Sequence, residues 1–287
     1  MKSYYHCCSK GLAREILFKS DEEFIAGINR IAICILLSLK AGRAVAVLAF
    51  CLMDNHFHFI LYGTEADCNA FMADYKKLTA MWISKHRGTA LMEKIETGCW
   101  FVPQYKLGEK IIYVLRNPVA AGLRVTAQGY RWSSAYYMFN DWKPDTFVLA
   151  SDLSARALNK IFSSRETVPG KWIIVGKMVW PPSFFNVKAA EAPFKSIGSF
   201  MFDLNNGNID KEAEEEMMEG NFSLPDAEVR IRAVQYGISN FRKDSISKCS
   251  ADERLTIARL LKAELKCNAK QLARVLRLNP SDLRLLT

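Results

Sequence analysis

The chain has 287 residues, half of them hydrophobic and 24% charged, and this ordinary globular composition excludes a disordered, fibrous or repeat-built protein. Its formal net charge of +9 favours an anionic partner, most often nucleic acid and less often a membrane surface. Residues 1–140 hold 17 Lys and Arg against 11 Asp and Glu, and residues 228–287 hold 13 against 6, whereas residues 141–227 hold 9 against 13. The sequence therefore predicts two basic modules joined by an acidic segment.

The eight cysteines form no CxxC pair, and several lie inside apolar runs, as expected of a protein from a reducing compartment. The first residues contain no apolar signal-peptide core, and the apolar run at 31–37 is far shorter than a membrane span. We therefore expect a cytoplasmic protein without a membrane partner.

The first half of the chain alternates predicted strands and helices. SYYHCC at 3–8 is a first strand, and Ser20 and Asp21 begin a helix that extends to about residue 40. The continuously apolar run at 44–50 predicts a strand covered on both faces, and a turn at 53–55 pairs it with HFHFILY as a hairpin.

A helix from about 67 to 87, a short strand near 100–104 and a helix near 108–117 complete this half. The order β-α-β-β-α-β-α is typical of an α+β fold. It predicts a ferredoxin-like antiparallel sheet with helices on one face.

The second half has a weaker pattern until it becomes helical near its end. Residues 168–182 predict a small hairpin around Gly176, and the acidic run at 211–220 predicts a solvated helix or a linker. Helices are predicted at 252–265 and 268–276, and Pro280 favours the start of a third. These short helices carry basic side chains and resemble a helix-turn-helix: Lys270, Arg274, Arg277 and Arg284.

Two of the four histidines lie one residue apart on the second strand of the predicted hairpin. Because strand side chains alternate, His56 and His58 share one face and are close enough to bind one metal ion. Two unrelated histidines on an open sheet face are an equally ordinary reading. The His-x-His spacing alone does not decide between them.

Tyr113 and Asn117 lie four residues apart and therefore on one side of the last predicted helix. Asn117 offers a neutral oxygen ligand and Tyr113 a phenol that can act as a nucleophile. Tyr113 could equally be a half-buried core aromatic. Pro118 disfavours helical geometry at the preceding residue, so we expect the helix to end or kink at Asn117.

Four motifs occur together and in order: YHCCSKG at 5–11, CLMDNHFHFIL at 51–61, YVLRNPVAAGL at 113–123 and YRWSSA at 130–135. Together they resemble the REP-associated tyrosine transposases of the wider HUH single-strand transposase family. The resemblance covers about 1–140, and the C-terminal helices are similar to a DNA-binding tail of some members. Asp54 stands where the family usually has proline and adds a negative charge beside the histidines.

The resemblance implies that His56, His58 and Asn117 hold a divalent metal ion, Mg²⁺ or Mn²⁺. It also implies that Tyr113 attacks a DNA phosphate and forms a 5′-phosphotyrosine, which is later rejoined to another end. The expected domains are a catalytic domain at 1–140, an acidic connecting region at 141–227 and a helix-turn-helix-like DNA-binding tail at 228–287.

The expected partner is single-stranded or hairpin DNA, and a homodimer is plausible because two strands must be cut and exchanged. Four basic residues in or beside the motifs are candidate phosphate contacts: Lys10, Arg14, Lys110 and Arg116. We expect His6 to be a structural histidine, Cys7 and Cys8 to fill the strand, and Trp132 to pack against the core.

Three other readings remain open at the level of sequence. A domesticated protein could retain the fold and bind hairpin DNA without catalysis. A replication-initiator or relaxase-like nickase could use the same residues. A zinc-dependent small-molecule hydrolase would need a third strong ligand, and His6 and His86 fall in no recognisable motif.

Overall fold

The computed structural model describes residues 1–12, 15–120, 126–206, 226–265, 267 and 269–278. The chain divides into two compact units, the first built from Met1–Leu12, Ile16–Asn117 and the described part of Thr126–Gly207, the second containing the C-terminal helices. None of the helices in these described ranges is long and apolar enough to cross a membrane. The acidic run at 211–220 and the helix predicted from Pro280 lie outside the described residues.

The first unit is built on a four-stranded antiparallel sheet. Its strands are β1 (Ser3–Ser9), β2 (Ala46–Leu52), β3 (Phe57–Gly63) and β4 (Thr97–Val102). They lie in the order β2-β3-β1-β4, and every neighbouring pair is antiparallel. Helix α1 (Asp21–Lys40) follows β1, and helix α2 (Glu65–Arg87) follows β3. This order confirms the predicted α+β fold with a ferredoxin-like sheet.

Local signals in the sequence set the ends of α1 and α2. The Ser20 side chain accepts the first-turn N–H of α1, and the Thr64 hydroxyl accepts the N–H of Asp67 at 3.1 Å in α2. Gly88, with a φ of +72°, ends α2 in the left-handed conformation that glycine adopts without strain.

One face of the sheet is an aromatic core covered by α2. The Tyr75 ring of α2 meets the rings of Phe57 and Phe59 edge-on, at 4.7 and 4.9 Å between centroids. The Tyr75 hydroxyl also donates to the carbonyl of Gly27 in α1 at 3.3 Å. Because strand side chains alternate, β3 buries these phenylalanines on one face and presents His58 on the other.

Helix α3 (Leu107–Ala120) extends past the residue at which the sequence predicts an end or a kink. It does not end at Asn117 but continues through Pro118 to Ala120. Proline has no N–H to donate to the carbonyl of Val114 one turn earlier. The Asn117 amide nitrogen donates to the Tyr113 carbonyl at 3.1 Å and reaches the Val114 carbonyl at 3.5 Å, which compensates in part for the missing donor.

Residues 126–206 add a smaller three-stranded antiparallel sheet and short helices to the first unit. The strands, in the order β5-β6-β7, are β5 (Val148–Leu149), β6 (Ile173–Val175) and β7 (Met178–Val179). The hairpin predicted around Gly176 is confirmed. The helices are α4 (Ala155–Phe162), α5 (Val187–Glu191) and α6 (Ile197–Asn205).

Asn29 of α1 holds this segment by three hydrogen bonds. Its amide nitrogen donates to the carbonyls of Ile161 and Lys177, and its amide oxygen accepts the N–H of Val179 at 2.9 Å. Residues 141–206 therefore pack within the first unit. The three-part domain division drawn from the sequence remains a prediction.

The second unit contains α7 (Asp226–Phe241), α8 (Ala251–Leu265) and α9 (Ala269–Leu276). The last two confirm the helices predicted at 252–265 and 268–276, whereas α7 was not predicted. Their buried apolar core includes Val229, Ile257, Leu261, Leu272 and Leu276. Of the basic side chains assigned to a helix-turn-helix, Arg277 is exposed, and those of Lys270, Arg274 and Arg284 lie outside the description.

Candidate functional site

The register of the central sheet places a histidine and a cysteine of β1 beside the His-x-His strand. Cys8 pairs directly with His58 across β1 and β3. Because alternate residues of a strand share a face, His6 lies on the same face of β1 as Cys8. The sheet thus places three residues with metal-binding side chains next to one another.

The imidazole rings are in direct contact. Nε2 of His6 and Nδ1 of His58 are 3.0 Å apart, so one ring donates a hydrogen bond to the other, and the two rings are stacked. The His56 ring meets His58 edge-on at 4.8 Å between centroids, and its Nδ1 is 2.8 Å from the Asn55 side-chain oxygen. Three imidazoles therefore form a continuous group on this face.

Side chains in this group could hold a metal ion. The ligand atoms of His6, Cys8 and His58 all lie within 4.8 Å of one another, and all three residues are buried. His6 and Cys8, expected to be a structural histidine and a strand-filling cysteine, are buried in the sheet and also lie beside His58. The sequence signal that could have placed His6 and Cys8 beside His58 is the pairing of β1 with β3. The ferredoxin-like order implies this pairing but does not fix its register.

Helix α3 places Tyr113 over the histidines. Its ring lies 5.4 Å from the His6 ring and 5.9 Å from the His58 ring between centroids, nearly perpendicular to both. The Lys110 ammonium lies 4.5 Å from the centre of the Tyr113 ring, a cation–π contact. Tyr113 is only 4% exposed. A phenol, imidazoles and a cation are thereby brought together.

Asn117, one turn after Tyr113, supplies a buried oxygen. Its amide nitrogen is used within α3, whereas its amide oxygen is buried and has no hydrogen-bond partner among the described residues. An unpartnered buried carbonyl oxygen is costly unless something binds it. Imidazole nitrogens and a carbonyl oxygen are both donor types that bind divalent metal ions, and nitrogen donors favour Mn²⁺ over Mg²⁺.

The four basic residues predicted to contact phosphate occupy different surroundings. Lys110 lies at the site. Lys10 is exposed and forms an ion pair with Glu96 at 2.7 Å. Arg116 is 3% exposed, and its guanidinium donates to the carbonyl of Leu204. Arg14 lies outside the described residues.

The YRWSSA motif secures the free edge of β2. The Leu52 N–H donates to the Trp132 carbonyl at 2.9 Å, and the Tyr130 hydroxyl donates to the Leu52 carbonyl at 2.8 Å. The Trp132 ring stacks on Phe24 at 4.9 Å, which confirms that it packs against the core. This motif supports the sheet rather than supplying groups to the histidine cluster.

Comparisons with known proteins give one distant match. No protein-family model matches the chain, and no curated protein matches it. A solved structure of a REP-associated tyrosine transposase bound to a REP hairpin is similar over 50% of this chain and 85% of its own, at 14% identity and a TM-score of 0.36. Similarity at that level is distant and assigns neither a function nor site residues.

Proposed function

We propose that the protein is a metal-dependent tyrosine transposase, a single-strand DNA endonuclease that cleaves and rejoins DNA during transposition and recombination. The observation that carries the proposal is the position of the Tyr113 ring, within 6 Å of the rings of both His6 and His58. The four ordered motifs and the net charge of +9 support the same reading.

The proposed site follows from the chemistry of each side chain. His56, His58 and Asn117 would hold Mg²⁺ or Mn²⁺, which when bound supplies Lewis-acid polarisation of the scissile phosphate. The Tyr113 oxygen attacks phosphorus, the bond from phosphorus to the 3′ oxygen breaks, and that oxygen takes up a proton. The product is a 5′-phosphotyrosine with a free 3′-hydroxyl, and attack by another 3′-hydroxyl reverses the step without ATP.

Lys110 is suited to assist the nucleophile. A free phenol has a pKa of about 10, so Tyr113 must lose its proton at a cost near neutral pH. The Lys110 ammonium, 4.5 Å from the ring centre, stabilises the negative charge that develops on the phenolate. Lys10 and Arg14 remain proposed phosphate contacts. The proposed partner is single-stranded or hairpin DNA, with a homodimer and a cytoplasmic location as further proposals.

A DNA-binding protein without catalysis is the second candidate, and one observation favours it. Tyr113 is 4% exposed and Asn117 is 3% exposed, whereas a nucleophile must reach a phosphate. The amide nitrogen of Asn117 also has a structural task beside Pro118. A replication-initiator or relaxase-like nickase would use the same residues and differ only in its DNA substrate.

A cleavage assay separates these candidates. Hairpin oligonucleotides labelled at the 3′ end are incubated with wild-type protein or Tyr113→Phe, with Mn²⁺, Mg²⁺ or EDTA. We expect a denaturation-resistant adduct that carries the 3′ label and requires both metal and Tyr113. A 5′-labelled oligonucleotide should give only a shortened free strand. A gel shift without any adduct would favour the noncatalytic protein, and an adduct with Tyr113→Phe would disprove the proposed nucleophile.

A further inference from the structure

Cys8 is a buried thiol at the site that the proposed strand cleavage does not use. It is 2% exposed and pairs with His58 on the histidine face of the sheet. Its neighbour Cys7 lies on the opposite face, where it pairs with Cys99. Two adjacent cysteines on one strand thus occupy chemically different positions.

The side chains around Cys8 come within about 1.3 Å of the ligand spacing of a tetrahedral zinc site. Zn–N bonds of about 2.0 Å and Zn–S bonds of about 2.3 Å place the ligand atoms about 3.3 to 3.5 Å apart. The ligand atoms of His6, Cys8 and His58 all lie within 4.8 Å of one another. The two imidazole nitrogens at 3.0 Å need to separate by only about 0.3 Å to admit the ion.

We propose that His6, Cys8 and His58 bind one transition-metal ion of the zinc class, with water as the fourth ligand. The ion replaces the hydrogen bond between His6 and His58, the donating ring carries its proton on its other nitrogen instead, and the Cys8 thiol releases its proton to solvent as the metal–sulfur bond forms. A thiolate with two imidazoles selects soft or borderline ions and disfavours Mg²⁺, which takes oxygen ligands.

This site shares His58 with the proposed catalytic ion, so His58 cannot serve both ions in full. Zn²⁺ bound through Cys8 therefore competes with Mg²⁺ or Mn²⁺ held through His56 and Asn117. Zinc occupancy would then suppress strand cleavage. That consequence rests on the proposed function, whereas the binding of the ion does not.

Cobalt spectroscopy of the full chain tests the site. Chelator-treated protein, kept reduced without added thiols, is titrated with Co²⁺ as a probe for zinc. We expect a sulfur-to-cobalt charge-transfer band in the near ultraviolet that saturates at one equivalent. Cys8→Ser should abolish the band, and the matched control Cys7→Ser should retain it. Circular dichroism without metal checks that each variant is folded.

Several outcomes would overturn the proposal. The band could be absent from the wild type, unchanged in Cys8→Ser, or lost instead in Cys51→Ser, which removes the thiol that pairs with His58 from β2. If Cys8→Ser does not fold, zinc-edge X-ray absorption of the wild type decides the ligand set. One sulfur at about 2.3 Å with nitrogen at about 2.0 Å supports the site, and a shell of nitrogen and oxygen alone contradicts it.

The two proposals fail independently, because the cobalt band requires no DNA and the covalent adduct requires no thiolate ligand. A cobalt band without a covalent DNA adduct would support the metal site and contradict the proposed transposase. An adduct without a band would do the reverse.

Discussion

At the scale of single residues, Asn117 combines a structural and a proposed metal-binding task. Its amide nitrogen bonds to carbonyls of α3 next to Pro118, and its amide oxygen is buried without a hydrogen-bond partner in the described part of the chain. A hydrogen bond contributes about 1 kcal/mol to stability, whereas an unsatisfied buried polar group costs about 1–3 kcal/mol. The oxygen is therefore the end of Asn117 that a ligand would stabilise.

We predict that Asn117→Leu changes the metal-free free energy of unfolding by no more than about 1 kcal/mol, because the lost hydrogen bond is offset by removal of the unsatisfied oxygen. Adding Mn²⁺ should raise the melting temperature of the variant by less than that of the wild type, since ligand stabilisation follows the affinity of the folded state for the ion. Thermal melts with and without Mn²⁺ measure both quantities. An unchanged Mn²⁺ effect would remove Asn117 from the proposed ligand set.

Part of the candidate site was predictable from residue spacing and part was not. The shared faces of His56 with His58 and of Tyr113 with Asn117 follow from strand and helix periodicity alone. The proximity of His6 and Cys8 depends on the register between β1 and β3, which lie about 50 residues apart in the chain. A shift of that register by one residue would place these side chains on the other face, and local pattern does not specify it.

At the scale of elements, an ion pair joins the start of α1 to the end of α2. The Arg87 guanidinium donates to both oxygens of the Glu23 carboxylate at 2.7 Å, and the two side chains are 13% and 4% exposed. Arg87 also donates to the carbonyls of Ile16 and Leu17. Both helices cover the sheet face opposite the histidines, so this pair stabilises the layer that supports the site.

We predict that Arg87→Met destabilises the protein by about 3–5 kcal/mol, because it leaves the Glu23 carboxylate buried without its partner. The double variant Glu23→Gln/Arg87→Met should be more stable than Arg87→Met alone, since it removes the buried charge as well. Urea unfolding at pH 7 measures the difference. Equal stability of the single and double variants would contradict a buried charge at Glu23.

The same pair predicts a pH dependence. Burial raises the pKa of Glu23, but hydrogen bonds from Arg87 and from the Lys19 N–H lower this pKa by more than burial raises it. The pKa of Glu23 therefore lies below its ordinary value. A lowered pKa in the folded state stabilises the fold above the unfolded pKa of about 4.3. That stabilisation is lost as the pH falls through the folded pKa. As the pH falls from 6 to below the folded pKa of Glu23, Glu23→Gln should therefore lose less stability than the wild type. Urea unfolding measures the difference.

The order of elements was predictable to a larger extent than their ends. The cap at Ser20 and the continuous apolar runs predict α1 and the hairpin, whereas the Thr64 cap of α2 lies before the predicted start of that helix at about residue 67. The course of α3 beyond Asn117 was not predictable, because the local effect of Pro118 is compensated by the Asn117 side chain. The packing of residues 141–206 into the first unit depends on Asn29, whose three partners lie more than 130 residues away.

At the scale of the whole molecule, positive charge is concentrated in residues 1–140 and 228–287. A protein that replaces counterions on DNA phosphates binds more weakly as salt rises, with a logarithmic slope set by the number of contacts. The proposed transposase and the noncatalytic DNA-binding protein share this property. The charge therefore bears on DNA binding and not on catalysis.

We predict that Arg259→Ala, at an exposed position of α8, weakens hairpin-DNA binding and lowers the logarithmic salt slope by about one. Lys188→Ala is the matched control, because Lys188 is an exposed cation of the acidic region and should leave the slope unchanged. Fluorescence anisotropy over a range of salt concentrations measures both. Equal effects of the two substitutions would argue against DNA contact by the C-terminal helices.

Mapping the atom to which DNA becomes attached tests most directly whether Tyr113 is the nucleophile. Protein is reacted with hairpin oligonucleotide and Mn²⁺, digested with nuclease and trypsin, and analysed by tandem mass spectrometry. Cleavage after Lys110 and Arg116 gives the peptide 111–116, in which Tyr113 is the one tyrosine. We predict a 5′-phosphonucleotide on Tyr113 that disappears when EDTA replaces Mn²⁺. A nucleotide on any other residue, or no attached nucleotide on a protein that binds the hairpin tightly, would contradict Tyr113 as the nucleophile.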